Sequence, residues 1–121
     1  MQENGDQSSL DDTVIIRNNR KEQTLRGWLI LHDHKGLAQK SYELNRSTIS
    51  IGRDNCNDIV LQDQTVSRIH CYIKIIADEL MIIEEDPING IFINEYPQSR
   101  SKLEDGMTVR LGRTIFRVKL L

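Results

Sequence analysis

The chain has 121 residues, 38% of them hydrophobic, and a formal net charge of −2, which suits one domain with a buried core. The weak negative charge and an aromatic content of 5% argue against a nucleic-acid-binding protein. The apolar runs are far shorter than the ~20 residues that cross a bilayer, and residues 1–12 are polar, so neither membrane insertion nor a signal peptide is expected. Cys56 and Cys71 are too few for a disulfide framework and predict free thiols in a cytoplasmic protein.

Residues 1–24 have the composition of a disordered polar tail. One segment departs from that composition, because Asp11 and Asp12 precede Thr13 and three β-branched residues follow it, in the order Val-Ile-Ile. Two interpretations of this segment remain open. It is either an edge strand or a short linear motif in which Thr13 is a phosphorylation site.

Residues 25–121 read as a single domain made of short strands. Turn residues recur every 8–12 positions, and no window of 11 or more residues carries a helical period, so the pattern predicts an all-β sandwich. The predicted strands are 25–31, 40–44, 48–51, 58–61, 70–76, 79–84, 90–94, 107–111 and 114–121.

Three polar motifs stand at the ends of these strands. Gly52-Arg53 follows the third strand, Ser67-Arg68-Ile69-His70 leads into the fifth, and Asn89-Gly90 leads into the seventh. Each motif alone is a weak signal. The ordered set, at this spacing and with strands between, resembles the forkhead-associated (FHA) domain family over about residues 25–121. The resemblance implies a sandwich of two twisted, mainly antiparallel sheets that binds phosphothreonine peptides on loops at one end.

The chemistry of the motif residues agrees with that implication. Arg53 offers a planar fork of donors suited to phosphate, and charge-assisted hydrogen bonds of this kind are roughly twice as strong as neutral ones. The Ser67 hydroxyl can donate to a phosphate oxygen. Arg68 either supplies a second cation or points to solvent. By the resemblance, Asn89 hydrogen-bonds the main chain of the ligand.

Three residues of the motifs are expected to be structural. Gly52 and Gly90 suit positions where the backbone turns or approaches closely. His70 could be taken for a catalytic base or a metal ligand, but the resemblance makes it a residue that supports the Ser67 loop, and polar groups at loop bases usually satisfy backbone partners.

Two positions bear on affinity and specificity. The resemblance places Ser or Thr before the Asn, and here Ile88 stands there. The missing hydrogen bond is worth about 1.5–3 kcal/mol, which weakens binding roughly tenfold or more. Thr65 lies where family members often contact the ligand residue three places after the phosphothreonine.

We therefore predict a non-catalytic, cytoplasmic phosphothreonine-peptide adaptor in Ser/Thr kinase signalling, without metal or cofactor. Its partners would be a Ser/Thr kinase and a phosphothreonine protein, or its own tail phosphorylated at Thr13. The alternative is a scaffold of the same fold that binds proteins independently of phosphate, which Ile88 favours. His32 and His34 share a strand face, but no third ligand at a diagnostic spacing completes a metal site, and a solvated hairpin end is the simpler interpretation.

Overall fold

The computed structural model describes residues 26–121, which contain eleven β-strands and no helix. The tail predicted for residues 1–24, with its Thr13 motif, lies outside the described residues. The strands are β1 (Gly27–His32), β2 (Ala38–Glu43), β3 (Thr48–Gly52), β4 (Ile59–Val60), β5 (Cys71–Ile76), β6 (Glu79–Glu84), β7 (Ile91–Ile93), β8 (Tyr96–Gln98), β9 (Arg100–Lys102), β10 (Thr108–Leu111) and β11 (Thr114–Leu120).

The strands form two sheets, which confirms the predicted all-β sandwich. The first sheet has six strands in the order β2-β1-β11-β10-β7-β8, and the second has five in the order β4-β3-β5-β6-β9. All pairings are antiparallel except that of β3 with β4, which is parallel. Within residues 26–121 there is no helix long and apolar enough to cross a membrane.

The core takes apolar side chains from both sheets. Leu29 and Phe116 come from the first sheet, and Ile51, Ile73 and Ile82 come from the second; each is at most 1% exposed. Burying a side chain of this size is worth about 1.5–3 kcal/mol, so these residues fix the two sheets face to face. Both cysteines are free.

Two strands went unpredicted, β8 and β9, because their sequences lack alternation. Tyr96, Pro97 and Gln98 are all exposed, and β8 is an edge strand, where a proline is tolerated because one side of the strand needs no partner. β9 is also an edge strand and pairs only with β6. The remaining predicted strands are present with ends shifted by no more than about two residues, the usual uncertainty of boundaries.

Candidate functional site

The loop after β3 and the loop before β5 are joined by their backbones. The Arg53 N–H donates to the Ser67 carbonyl at 3.0 Å, and the Asp54 N–H donates to the Arg68 carbonyl at 3.1 Å. Gly52 permits this approach, since a Cβ at its position would overlap the Arg68 carbonyl oxygen. The sheet thus sets Arg53 beside Ser67, although fourteen positions separate them in the chain.

The Arg53 side chain is held at its inner end. It is half-buried, and its Nε donates to the Val66 carbonyl at 2.9 Å. Within residues 26–121 this is its one side-chain hydrogen bond, which leaves the two terminal nitrogens without a partner in that range. A fork that is already oriented loses less side-chain entropy when it binds an anion.

His70 is fully buried, and both of its ring nitrogens have partners. Nδ1 accepts from the Ser67 N–H at 3.0 Å, and Nε2 lies 2.6 Å from the Gly90 carbonyl oxygen, to which it donates. This pair of partners fixes the neutral ring with its proton on Nε2. His70 therefore ties the Ser67 loop to the Asn89-Gly90 loop, where Gly90 has a φ of +61°.

Ser67 and Asn89 are in direct contact, and both contact Asp86. The Asn89 Nδ2 donates to the Ser67 Oγ at 2.6 Å, and the Ser67 hydroxyl donates to the Asp86 Oδ2 at 2.5 Å. The same Asp86 oxygen lies 3.3 Å from the Asn89 Nδ2, while Asp86 Oδ1 accepts from the Ile88 N–H at 2.9 Å. The bond from the Ser67 hydroxyl, followed by that from the Ile88 N–H, lowers the pKa of Asp86 below its ordinary 3.8. Asp86 is therefore an anion at neutral pH.

The other predicted contact residues differ in what their side chains can offer. Arg68 is exposed, and its carbonyl, not its guanidinium, takes part in the loop contacts. Ile88 is 90% exposed. The Thr65 hydroxyl donates to the Asp63 carboxylate at 2.6 Å and accepts from the Arg113 N–H at 2.8 Å, so its polar capacity is used within the domain.

Sequence reasoning missed Asp86 and Asn57. Asp86 precedes Pro87, and Asp followed by Pro marks the start of a turn, but nothing local indicates that its carboxylate reaches Ser67, 19 positions away. The buried Asn57 donates through Nδ2 to the Asp54 and Arg68 carbonyls, both at 2.7 Å. Asn57 thereby braces the loop that carries Arg53.

A shallow groove of about 310 Å³ runs beside Asn89. Its lining includes apolar groups of the loop before β7 and of β7 and β8, namely Pro87, Ile88, Phe92 and Pro97. Among residues 26–121, no three His, Cys, Asp or Glu side chains are grouped to bind a metal ion. The arrangement offers an oriented guanidinium, a hydroxyl, an amide and an apolar groove, which is chemistry for binding a peptide that carries an anion.

Comparison with known proteins places this chain in a family. Residues 33–120 match the family model described as the cytoplasmic domain of an inner membrane component of the type III secretion system (T3SS). The oxoglutarate dehydrogenase inhibitor of Corynebacterium jeikeium is 31% identical over 76 residues, which cover 63% of this chain and 53% of the relative. The glycogen accumulation regulator GarA of Mycolicibacterium smegmatis is 32% identical over 76 residues, covering 63% and 48%. The chain thus spans about half the length of these curated relatives.

Solved structures agree in fold. The FHA domain of the CT664 protein from Chlamydia trachomatis has a TM-score of 0.69 and 28% identity, with 78% of this chain and 96% of that one covered. EmbR of Mycobacterium tuberculosis, solved in complex with a low affinity phosphopeptide, has a TM-score of 0.69 and 29% identity, with coverage of 82% and 25%. The family model that matches residues 33–120 describes an FHA-type domain. With this match and its two-sheet architecture, the chain belongs to the forkhead-associated domain family.

Proposed function

We propose that this domain binds phosphothreonine peptides and acts as a non-catalytic adaptor in Ser/Thr kinase signalling in the cytoplasm. One observation carries the proposal: Arg53, Ser67 and Asn89 come from three separate loops and are joined into one surface by hydrogen bonds. The phosphopeptide complex of EmbR supports the ligand class. The names of the curated relatives, an inhibitor and a regulator, support a role without catalysis.

Each residue has a distinct role in this proposal. Arg53 gives the phosphate two charge-assisted hydrogen bonds from its terminal nitrogens, and Ser67 gives a third from its hydroxyl. Asn89 sets the register of the peptide by bonding its main chain. The exposed Ile88 presents apolar surface to the methyl group of the phosphothreonine, and the exposed Arg68 adds positive charge near the phosphate.

Removing the Arg53 side chain tests the pocket directly. We expect R53A to weaken binding of a phosphothreonine peptide at least about 100-fold, because two charge-assisted bonds of about 1.5 kcal/mol each are lost. R53K keeps the charge but not the fork, so it should fall between R53A and wild type. Isothermal titration calorimetry with phosphorylated and unphosphorylated versions of one peptide measures the difference.

The matched control is R46A. Arg46 is 68% exposed and pairs with Asp58 at 2.8 Å, outside the predicted site, so the same substitution there removes the same charge. R46A should bind within about twofold of wild type, as expected for a distant exposed charge. Equal affinities of R53A and R46A would contradict the assignment of the pocket.

A finer proposal concerns the source of the phosphothreonine. Residues 1–24 would form a regulatory tail attached to a domain of residues 25–121, with Thr13 as the kinase target. If Thr13 is the ligand, the residue three places on is Ile16, which suits a contact at Thr65 that carries no charge. The eleven residues between Thr13 and Leu25 span at most ~36–40 Å when extended. A linker of that length is compatible with docking of phosphorylated Thr13 into the pocket of its own domain or into that of a second copy.

Phosphorylation of the full chain tests this source. The chain phosphorylated at Thr13 should bind an external phosphothreonine peptide more weakly than the unphosphorylated chain does. R53A should abolish that difference, and T13A should prevent it. Sedimentation at several concentrations separates the two geometries, because docking into a second copy increases the mass and folding back does not.

The alternative is a scaffold that binds proteins independently of phosphate. Ile88 stands where a hydroxyl is expected, and the Asp86 carboxylate already accepts from Ser67, which together favour this alternative. The calorimetry decides between the two. A scaffold would show no preference for phosphorylated peptides, either in wild type or in R53A.

A further inference from the structure

The Asp86 carboxylate lies on the donors that the proposed function gives to the phosphate. It accepts from the Ser67 hydroxyl at 2.5 Å and lies 3.3 Å from the Asn89 amide nitrogen. A serine hydroxyl has one hydrogen to donate. Ser67 therefore cannot donate to a phosphate while it donates to Asp86.

The position of Asp86 is fixed by its own turn. Its second carboxylate oxygen accepts from the Ile88 N–H at 2.9 Å, and its carbonyl accepts from the Gly90 N–H at 3.0 Å. The preceding Glu85 N–H bonds the His70 carbonyl at 2.9 Å, which attaches the turn to β5. The carboxylate is thus held beside Ser67 by the backbone around it.

The negative charge of Asp86 opposes phosphate binding, as do its hydrogen bonds with Ser67 and Asn89. A phosphothreonine carries about −1.5 to −2 charges at neutral pH, and a like charge within hydrogen-bonding distance of the same donors repels it. Asn89 is drawn into the same contact. A phosphate approaching Ser67 therefore meets an anion that already holds both groups.

We infer that Asp86 is an internal anion that competes with the phosphothreonine for Ser67 and Asn89 and thereby lowers the affinity of the pocket. The inference rests on the proposed function. Binding then requires the Ser67 hydroxyl to turn from the carboxylate to the phosphate, while Asp86 keeps its bond to the Ile88 N–H. Asp86 is a residue that sets affinity, in addition to those that the motifs identify.

The test replaces the carboxylate with an amide. D86N removes the charge but keeps an oxygen for the Ile88 N–H, so the turn is retained. We expect D86N to bind a phosphothreonine peptide about tenfold more tightly than wild type, because a like charge is removed and the Ser67 hydroxyl is released. The probes are a peptide of residues 8–20 phosphorylated at Thr13 and a phosphothreonine peptide pool with randomised flanks.

Two controls separate competition from simple charge removal. E85Q makes the same charge change at the neighbour of Asp86 and should gain less than about twofold, as screening at the surface predicts. A double-mutant cycle with S67A isolates the contact. If competition for Ser67 causes the gain, D86N improves wild type more than it improves S67A.

The outcomes are distinct. A gain in D86N that exceeds the gain in E85Q and shrinks in S67A supports the inference. Phosphate-dependent binding by wild type without a further gain in D86N overturns the inference and leaves the proposed function standing. Binding by D86N alone supports the inference and overturns the proposed function for the natural chain. If neither probe binds any variant, both are overturned.

Discussion

Two aspartates near the loops of the site accept hydrogen bonds in nearly the same pattern. In the Asp63 cluster, defined as Asp63, Thr65 and Thr114, the carboxylate accepts from two hydroxyls at 2.6 Å and from the Thr65 N–H at 2.8 Å. In the Asp86 cluster, defined as Asp86, Ser67 and Asn89, the carboxylate accepts from a hydroxyl, an amide and a backbone N–H.

The clusters differ in what their donors connect. Thr114 begins β11 and lies 51 positions from Asp63, so the Asp63 cluster joins the loop before β5 to the β10–β11 hairpin. Two of the three donors to Asp86, the Ser67 hydroxyl and the Asn89 amide, are groups proposed to bind the ligand. The same bonding pattern therefore serves as a structural tie in one place and as a competitor for ligand in the other, and only the position of the donors distinguishes the two.

The largest loss of stability is expected from a substitution at Gly112, which lies against Thr65 of the Asp63 cluster. Gly112 has a φ of +59°, and a Cβ there would overlap both the hydroxyl and the backbone of Thr65. G112A should lower the free energy of unfolding by about 3 kcal/mol, from backbone strain and overpacking together. Urea denaturation measures this loss.

The control for that substitution is G106A. Gly106 also has a positive φ, +87°, but a Cβ there would meet nothing within 4 Å. G106A should therefore cost only the strain, about 1 kcal/mol. Equal losses of unfolding free energy in G112A and G106A would contradict a destabilising overlap between the added Cβ at position 112 and Thr65.

An intermediate effect is expected from Asp63 itself. Partial burial raises the pKa of Asp63, but hydrogen bonds from Thr114 and Thr65 outweigh burial, so the pKa lies below the ordinary 3.8. D63N should lower the free energy of unfolding at pH 7 by about 1.5 kcal/mol, since hydrogen bonds to a charged group are weakened. D86N should lower the free energy of unfolding less, because the two loops that the Asp86 cluster joins are also held together by His70.

Acid should remove the difference between wild type and D63N. A carboxyl group whose folded pKa is depressed stabilises the protein above its unfolded pKa, and this stabilisation is lost as the pH falls through the folded pKa. The gap between wild type and D63N should be constant above about pH 5 and should shrink as the pH falls below 3.8. A gap that persists unchanged at about pH 2 would contradict the assigned cause.

The smallest effect on stability is expected at Ile88. Because this side chain is 90% exposed, I88T should leave the free energy of unfolding within about 0.5 kcal/mol of wild type. It should nevertheless strengthen phosphothreonine-peptide binding about tenfold by supplying a hydroxyl for the phosphate. I88V has the shape of the threonine without its hydroxyl and is the matched control. An equal gain of affinity in I88V would show that the shape of the side chain, and not the hydroxyl, causes the tighter binding.

The strands could be predicted wherever burial imposes a pattern on the sequence. β3, β5 and β11 alternate or run apolar because one face of each contributes to the core. β9 could not be predicted, because Arg100-Ser101-Lys102 is polar throughout and is a strand only through pairing with β6. Backbone pairing between two segments that are distant in the chain does not require any particular composition in either segment.

The same distinction applies to the candidate site, where some residues could be predicted from local sequence and others could not. The motifs around Arg53, Ser67 and Asn89 are visible in the sequence, and their resemblance to one family is enough to group them at one end of the domain. Asp86 could not be predicted in this way, since an aspartate before a proline is an ordinary turn signal. The contact between its carboxylate and Ser67 forms only when β5 and β6 pair and bring residues 67 and 86 together.

The position of β11 in the first sheet has a consequence for how the domain is made. β11 lies between β1 and β10, so the sheet without it consists of two separate pieces, β2-β1 and β10-β7-β8. A ribosome delivers this central strand after every other strand of the domain. Folding of the first sheet must therefore wait for the end of synthesis of the domain, and the nascent chain meanwhile exposes the unpaired edges of β1 and β10, which are the edges open to aggregation.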